Sequence, residues 1–314
     1  NEQAIIADVK VRSSNRTPSL AKSGDEVTLT FSVEGTYNGD PAVTIAGRPA
    51  DVSLDEVGLY RASREVATET VDGELTFSIE LRDRNEKVLV RSAETSDRSI
   101  VAVDRTLPTA TAVSLVSDNE SNPDMARQGD TITVSLTTSE PLGGVPEIEI
   151  AGIIPDRVEK LSSSSFRADV ILTDSVKAGP LPFSIEYTDL AGNRGKTTTS
   201  TDKNRTIIFD AAAPVISEVA LTATGSGRPD IIVNGGRAVM TFRVNEELSG
   251  LPYVRIAGLE PEGITQMSDG FYRAEVMIQN AEKDGDVEFA IYVEDIAGNG
   301  ASVVNATCDG IKLA

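Results

Sequence analysis

The stretch Val27-Thr28-Leu29-Thr30-Phe31-Ser32-Val33 places an apolar side chain at every second position. Residues 132–138 and 238–244 repeat this alternation with Ile, Val and Leu in the first case and Ala, Met, Phe and Val in the second. A period of two is typical of a β-strand that buries one face. The same kind of strand returning at nearly constant spacing indicates a chain built from internal repeats.

Two further markers give the length of the repeat. The tripeptide Ile-Ala-Gly begins at Ile45, Ile150 and Ile256, so its steps are 150 − 45 = 105 and 256 − 150 = 106 residues. An aromatic-Arg-Ala tripeptide begins at residues 60, 166 and 272, in steps of 166 − 60 = 106 and 272 − 166 = 106. Ordered markers with one period predict three repeats, with boundaries at residues 1–104, 105–210 and 211–314.

Each repeat has the pattern of an all-β domain. A second alternating run begins at Phe77, Phe183 and Phe289, and turn-forming Gly, Pro, Asn and Asp separate the short apolar runs. No segment has a convincing helical periodicity. About seven short strands in a repeat of this length are typical of an antiparallel sandwich. The sequence therefore predicts three tandem immunoglobulin-like antiparallel β-sandwich domains arranged end to end, without the Cys-Trp-Cys core of true immunoglobulin domains.

The composition excludes several classes of function. The 314 residues include 49 Asp and Glu against 29 Lys and Arg, a formal charge of −20, which disfavours a nucleic-acid partner and favours cations. The absence of histidine excludes Ser-His-Asp and Cys-His catalysis and His-ligated zinc. One cysteine cannot form an internal disulfide. No apolar run is long enough to insert into a membrane, and the start at Asn1 suggests a processed or excised part of a longer chain.

Short linkers connect the repeats. Asp104-Arg105-Thr106-Leu107-Pro108 and Asp210-Ala211-Ala212-Ala213-Pro214 lie 210 − 104 = 106 residues apart, each between the last strand of one repeat and the first of the next. Because proline fixes its own φ angle and few residues separate it from Asp, these linkers are predicted not to act as free tethers.

A five-residue motif near the end of repeats two and three adds a family resemblance. Asp189-Leu190-Ala191-Gly192-Asn193 and Asp295-Ile296-Ala297-Gly298-Asn299, together with Ile-Ala-Gly and the Asp-x-x-x-Pro linkers, resemble the tandem bacterial immunoglobulin-like repeats of large prokaryotic surface proteins and adhesins. The resemblance implies an extracellular location and a spacer, adhesive or scaffolding role, often with calcium at the domain joints. Repeat one departs from the motif, with Asp83-Arg84-Asn85-Glu86-Lys87 in its place.

Two sets of acidic residues are predicted to converge at the joints. In this sandwich topology the loop after the second strand and the loop between the last two strands project from the pole where the chain enters. The candidate metal ligands are Asp104, Glu140, Asp189 and Asn193 at the first joint and Asp210, Glu246, Asp295 and Asn299 at the second.

Three carboxylates about 5 Å apart would repel one another by roughly 10 kcal/mol in total at an effective dielectric constant of about 20, which is comparable to the stability of a domain. A hard cation with oxygen ligands would remove this repulsion, and Ca²⁺ fits such ligands better than zinc or copper does. The alternative is that Asp104 and Asp210 simply end strands while Asp189 and Asp295 cap Asx turns. Both interpretations remain open from the sequence.

Other features give weaker signals. The acidic segment 118–124 has no counterpart in repeat three and is predicted to be a solvated loop. Asn-x-Ser/Thr acceptors occur at Asn15, Asn119, Asn204 and Asn305, a number expected by chance in this composition. Eight aromatic residues at matched positions are predicted to be core, leaving Tyr37, Tyr253 and Phe271 as surface aromatics.

The sequence thus predicts a non-enzymatic, extracellular or cell-surface repeat region that acts as a stalk or spacer and is stiffened by calcium. A self-assembling S-layer or filament subunit is one alternative, and a glycan-binding module is another. The predicted partners are the neighbouring immunoglobulin-like domains of the same chain, a second copy of the chain, or a host or cell-surface receptor or glycan. Neither nucleic acid nor membrane insertion is expected.

Overall fold

The strands of the protein were located in a computed structural model that describes residues 4–37, 39–225, 227–279 and 285–304 and the backbone of 312–313. Repeat one contains β1 Ile5–Ser13, β2 Leu20–Ala21, β3 Glu26–Glu34, β4 Ala42–Ile45, β5 Arg48–Pro49, β6 Asp51–Leu54, β7 Leu59–Glu65, β8 Gly73–Glu74, β9 Phe77–Arg82, β10 Val88–Ser92 and β11 Ala102–Val103. Repeat two contains β12 Ala110–Ser117, β13 Met125–Ala126, β14 Thr131–Thr138, β15 Glu147–Ile150, β16 Val158–Lys160, β17 Ser165–Ile171, β18 Gly179–Pro180, β19 Phe183–Glu186 and β20 Ile208–Phe209. Repeat three contains β21 Ile216–Thr224, β22 Ile231–Ile232, β23 Arg237–Val244, β24 Tyr253–Ile256, β25 Ile264–Gln266, a 3₁₀ turn at Ser268–Gly270, β26 Phe271–Met277, β27 Gly285–Asp286, β28 Phe289–Glu294, β29 Gly300–Val304 and β30 Lys312–Leu313.

The strand order is repeated along the chain. One four-stranded antiparallel sheet has the order β1-β3-β7-β6, and its counterparts are β12-β14-β17-β16 and β21-β23-β26-β25. The facing sheets are β10-β9-β4-β5, β15-β19 and β24-β28-β29. A third small sheet (β2-β11-β8, β13-β20-β18, β22-β30-β27) pairs the segment after the first strand with the end of the repeat in parallel. The all-β fold class predicted from the sequence is confirmed.

The alternating apolar residues fill the space between the facing sheets. Val27, Leu29 and Phe31 on β3 are fully buried, as are their counterparts on β14 and β23. Buried side chains form three separate clusters, one in each repeat. Seven of the eight matched aromatic residues are buried, and Tyr60 is half-buried with its ring stacked 5.2 Å from that of Phe31. No helix of the described residues is both long and apolar enough to cross a membrane.

The Ile-Ala-Gly tripeptides form tight turns. Ala151 and Gly152 have φ angles of 53° and 81°, and the main chains of Ile150 and Ile153 exchange hydrogen bonds of 2.9 and 2.8 Å across them. The other two tripeptides have the same pair of positive φ angles. Two consecutive left-handed residues match the twist of the flanking strands, and only glycine takes up this conformation without steric cost. The motif therefore recurs because each repeat reverses its chain at this point.

Candidate metal centre at the repeat joints

The three acids of each joint come from three segments that end at the same pole. Asp104 follows β11, and its N–H donates to the main-chain oxygen of Ala21 at 2.8 Å, which fixes where the linker leaves repeat one. Glu140 follows β14, and Asp189 follows β19. An antiparallel β-bridge between Leu142 and Asp189 holds the loop after β14 against the loop after β19. The second joint is built in the same way from Asp210, Glu246 and Asp295, with a bridge from Leu248 to Asp295.

The carboxylates converge as the sequence predicted. In each joint, one carboxylate oxygen from every member of the triad lies within 4.8 Å of those from the other two. Asp189 is 2% exposed and Asp295 is fully buried, while the other four acids are half-buried. None of the ion pairs among the described residues involves any of the six carboxylates. In the part of the chain that the structure describes, the triads therefore concentrate negative charge without an ion pair to balance it.

The predicted asparagines tie the turn to the linker. Asn193 donates from its side-chain nitrogen to the Asp189 carboxylate at 2.8 Å and to the main-chain oxygen of Asp104 at 2.9 Å. The Asn193 main-chain N–H also donates to Asp189 at 2.8 Å. Asn299 makes the equivalent contacts to Asp295 and to the oxygen of Asp210, at 2.9 and 3.0 Å. Each asparagine thus joins one repeat to the linker that enters it.

The Asx-turn alternative describes part of the same geometry. Asp295 accepts main-chain hydrogen bonds from Ala297 and Asn299, and Gly298 has a φ of 89°. Asp104 and Asp210 also accept from the N–H groups two residues further along the linkers. Capping these turns and converging on a common point are compatible, because each Asp carboxylate has two oxygens with two lone-pair directions each.

The pKa values of the two glutamates and of Asp104 are raised. Burial raises the pKa of Glu140, and the charges of Asp104 and Asp189 raise it further. Burial also raises the pKa of Glu246, followed by the charges of Asp295 and Asp210. For Asp104, burial raises the pKa, the hydrogen bond from Thr106 opposes this rise, and Asp189 then adds to it. At about 5 Å and an effective dielectric constant of about 20, each pair of charges repels by about 3 kcal/mol.

The pole of repeat one has a different arrangement. Glu34 and Asp83 precede Glu140 and Asp189 by 106 residues each (140 − 34 and 189 − 83). The turn keeps its backbone, since Asp83 accepts from the N–H of Lys87 at 3.0 Å and Glu86 takes the left-handed conformation, with φ 63°. Lys87 stands where repeats two and three have the bridging asparagine.

The prediction of a solvated loop at 118–124 is wrong for Asn119. Its side chain is 6% exposed and donates to the main-chain oxygen of Ala297 in repeat three at 2.9 Å, whereas Glu120 and Asp124 are exposed as predicted. Asn15 makes the corresponding bond to Ala191 at 2.9 Å. The side-chain nitrogens of these two glycosylation acceptors are therefore used within the joints. Asn204 is exposed, and Asn305 lies outside the described residues.

A polar contact present at the first joint pins its linker to repeat one. Asp72 accepts from the Thr106 hydroxyl at 2.9 Å and from the main-chain N–H of Arg105 at 3.1 Å, and the Arg105 guanidinium approaches the same carboxylate at 3.2 Å. The Thr106 hydrogen bond, followed by those of Arg105, lowers the pKa of Asp72. Strand matching places Ala178 at this position in repeat two, and the second linker reads Ala211-Ala212.

The surface aromatics do not assemble into a platform. Tyr37 lies in repeat one, where its hydroxyl bonds to the main chain of Asp40 and Arg82, while Tyr253 and Phe271 lie in repeat three. The Arg243 guanidinium covers the Phe271 ring at 5.7 Å from its centre. Tyr253 is 47% exposed and has Tyr292, 44% exposed, as its neighbour on the adjacent strand.

Comparison with models of protein families and with curated protein sequences finds no match. Comparison with solved structures does find similar folds. The chain is similar to a structure described as a Ca²⁺-stabilised adhesin that helps an Antarctic bacterium reach out and bind ice, at 18% identity over 96% of this chain and 73% of that one, with a TM-score of 0.51. A 1.5-MDa bacterial ice-binding adhesin matches at 19% identity over 97% and 96% of the two chains, with a TM-score of 0.49. An I-band fragment of titin matches at 12% identity over 97% of each chain, with a TM-score of 0.42. The similarity to the Ca²⁺-stabilised adhesin agrees with the class of fold that the strand order shows, a tandem array of immunoglobulin-like β-sandwiches.

Proposed function

We propose that this chain is an extracellular structural or adhesive repeat region whose joints are stiffened by Ca²⁺. The observation that carries the proposal is the convergence of three carboxylates at each internal joint without a basic partner among the described residues. One acid in each triad is buried, and an ionised carboxylate is costly to bury unless it is paired. A divalent cation would supply the missing positive charge.

The ligand chemistry favours calcium. All ligands offered are oxygens: three carboxylates, with the main-chain oxygens of Asp104 and Asp210 close by through the asparagine bridges. Ca²⁺ accepts six to eight oxygens in a flexible geometry, whereas Mg²⁺ requires a near-ideal octahedron and retains water. The repeats contain no histidine and offer no thiolate at these positions, so softer metals have no preferred ligand here.

A bound cation would act mechanically. Asp104 belongs to the linker while Glu140 and Asp189 belong to the body of repeat two, so one ion would add a second link to the asparagine bridge between them. The three acids would then attract the shared ion instead of repelling one another. Each joint would lose the bending freedom that its hydrogen bonds leave, and the array would behave as a stiff spacer. We place such a spacer at the cell surface, in line with the adhesin described for the Ca²⁺-stabilised structure of similar fold.

Isothermal titration calorimetry tests the proposal on the full chain. We expect two calcium ions per chain, one fewer in Glu140→Gln or Glu246→Gln, and none in the double variant. Glu149→Gln changes an exposed strand residue and serves as the control. The melting temperature should rise when calcium replaces chelator, because a ligand that binds only the folded state stabilises it. At a free ligand concentration of 100 times Kd this stabilisation is about 2.7 kcal/mol. Absence of binding heat in the parent protein would refute the calcium site.

Electron microscopy distinguishes the alternatives. A spacer should remain as separate rods when calcium is added, whereas an S-layer or filament subunit should order into sheets or fibres. Glycan binding is the less favoured class, because the predicted surface aromatics are divided between two repeats and Phe271 is covered by Arg243. No catalytic role is proposed.

A further inference from the structure

A second set of polar residues crosses each joint beside the acid triad. Asn15 donates its two side-chain protons to the Asp25 carboxylate at 2.7 Å and to the main-chain oxygen of Ala191 at 2.9 Å. The Asn15 side-chain oxygen accepts from the N–H of Thr17 at 3.0 Å. The side chain is thus held by its own repeat at one end and binds the next repeat at the other.

A basic side chain completes the contact. Lys22 donates from Nζ to the main-chain oxygen of Gly192 at 2.8 Å, and its own N–H donates to the Asp25 carboxylate at 2.8 Å. The Asp25 carboxylate therefore orients both donor residues, because it accepts from the side chain of Asn15 and from the main-chain N–H of Lys22. We call Asn15, Lys22 and Asp25 the socket of repeat one.

The same socket occurs at the second joint. Asn119 donates to Asp130 at 2.6 Å and to Ala297 at 2.9 Å, and Arg127 donates to the main-chain oxygen of Gly298. The N–H of Arg127 bonds to the Asp130 carboxylate at 2.8 Å, as that of Lys22 does in repeat one. Two joints with different surrounding residues thus reproduce one hydrogen-bond pattern.

The outer pole of repeat three does not carry the socket. The equivalent positions in repeat three follow from the strand bounds and registers that the repeats share. Gly225 stands at the position of Asn15, Val233 at that of Lys22 and Gly236 at that of Asp25. None of these side chains supplies a donor or a carboxylate.

The turn of repeat one differs from the two docking turns at the glycine position. A Cβ at Gly298 would lie 2.7 Å from Ser121 Oγ and 3.0 Å from Arg127 Nη1, whereas a Cβ at the equivalent Gly192 would be in ordinary contact with Lys22 Nζ at 3.6 Å, so the second joint is the one that favours glycine. Repeat one has Glu86 at that position. The three socket residues and the Asp-x-Ala-Gly-Asn turn that they bind therefore occur together at both joints within this chain.

We propose that the socket is a cation-independent lock that docks the Asp-x-Ala-Gly-Asn turn of the following immunoglobulin-like repeat and sets its orientation. The lock holds the main-chain oxygens of the alanine and the glycine of this turn. It therefore positions the turn before any cation binds, and its residues act as positioning residues for the triad. The positioning of the triad rests on the proposed function, whereas the docking of the turn holds without a metal.

Pulsed electron paramagnetic resonance on the full chain tests the lock. In a Cys308→Ser background, nitroxide labels at Lys10→Cys and Glu149→Cys report on the first joint, and labels at Glu149→Cys and Ala220→Cys report on the second. All three label sites lie on strands with exposed side chains. The first variant is Asn119→Ala. The second is Arg127→Met, which changes a side chain that is 43% exposed rather than buried. Glu120→Ala and Arg157→Met are the matched controls, each exposed and away from the socket contacts.

In chelator, the parent and both controls should give narrow distance distributions at both joints. Each socket variant should lose the narrow distribution at the second joint and retain it at the first. Equal widths for parent and socket variants in chelator would overturn the lock. A parent that is already broad in chelator would overturn it as well, because the joint would then depend on the cation.

Calorimetry supplies the second readout. Loss of a residue that orients a metal ligand typically costs 10- to 100-fold in affinity, so calcium should bind about tenfold more weakly to the second joint of Arg127→Met and unchanged to the first. Unchanged calcium affinity at both joints would show that the socket does not position the triad. The docking role of the socket would still be decided by the distance measurement. If the parent binds no calcium, the proposed function fails and the distance measurement in chelator still decides the lock.

Discussion

The side-chain nitrogen of Asn193 donates a hydrogen bond to the main-chain oxygen of Asp104, 2.9 Å away, although 89 residues separate the two. This bond links the turn near the end of repeat two to the linker that enters the same repeat. Asn299 and Asp210 have the same relationship at the second joint, at 3.0 Å. The entry and the last loop of a repeat are therefore held together, and the acids that flank them are brought to one point.

The glycine of the docking turn is predicted to be required for two reasons. Gly298→Ala places a Cβ in a left-handed conformation, at about 1–2 kcal/mol, and also against Ser121 and Arg127. Gly152→Ala is the matched control, because Gly152 has a φ of 81° and open space around its Cβ position. In urea unfolding, Gly298→Ala should lose more stability than Gly152→Ala. Equal losses would mean that the contact across the joint has no energetic weight.

Stability in chelator should depend on pH through the two glutamates. Because the pKa values of Glu140 and Glu246 are raised in the folded state, the folded protein binds their protons more tightly than the unfolded chain does. Their contribution to stability is fully present below the unfolded pKa, about 4.3, and is lost as pH rises through the folded values. Glu140→Gln with Glu246→Gln should therefore be more stable than the parent at pH 7 and equal to it near pH 4.

Denaturant unfolding in chelator at both pH values measures this difference. The variant must be compared with the parent at each pH, because carboxyls with lowered pKa values, such as Asp72, make the unfolding free energy rise with pH instead of fall. A double variant that is less stable than the parent at pH 7 would show that the carboxylates do not repel one another. With calcium present the order should reverse, since the variant cannot hold the ion.

The Ile-Ala-Gly turns offer a stabilising substitution. Ala151 has a φ of 53°, which costs alanine about 1–2 kcal/mol, and asparagine tolerates this conformation better. Ala151→Asn should raise the unfolding free energy of repeat two by about 1 kcal/mol. Ala112→Asn, at an exposed position on β12, is the control and should give no gain. A loss of stability in Ala151→Asn would contradict the turn assignment.

Much of the fold could be predicted from the sequence because its signals are local and repeated. The alternation on β3, β14 and β23 identifies buried strands, and Ile-Ala-Gly identifies the turn, since each depends only on neighbouring residues. The triads could be predicted because each of their acids sits at a fixed position relative to a recognisable strand. Whether they bind metal remains a prediction, as do the exact boundaries of the repeats.

The socket could not be predicted in the same way. Asn119 and Ala297 are 178 residues apart, and the contact depends on how one repeat meets the next. The third repeat also has Gly225 at the position of Asn15 and Asn119, so the sequence shows no repeated motif in this segment. One pattern in the sequence does indicate the socket. Repeats one and two share this asparagine, a basic residue and an aspartate, and repeat three replaces all three together.

An anomalous difference map from crystals grown with calcium would show directly whether the joints bind the ion. We expect one peak at each internal joint, about 2.3–2.6 Å from carboxylate oxygens of Asp104, Glu140 and Asp189 at the first and of the equivalent acids at the second. Joints without peaks, with the three carboxylates turned apart into solvent at saturating calcium, would contradict this expectation.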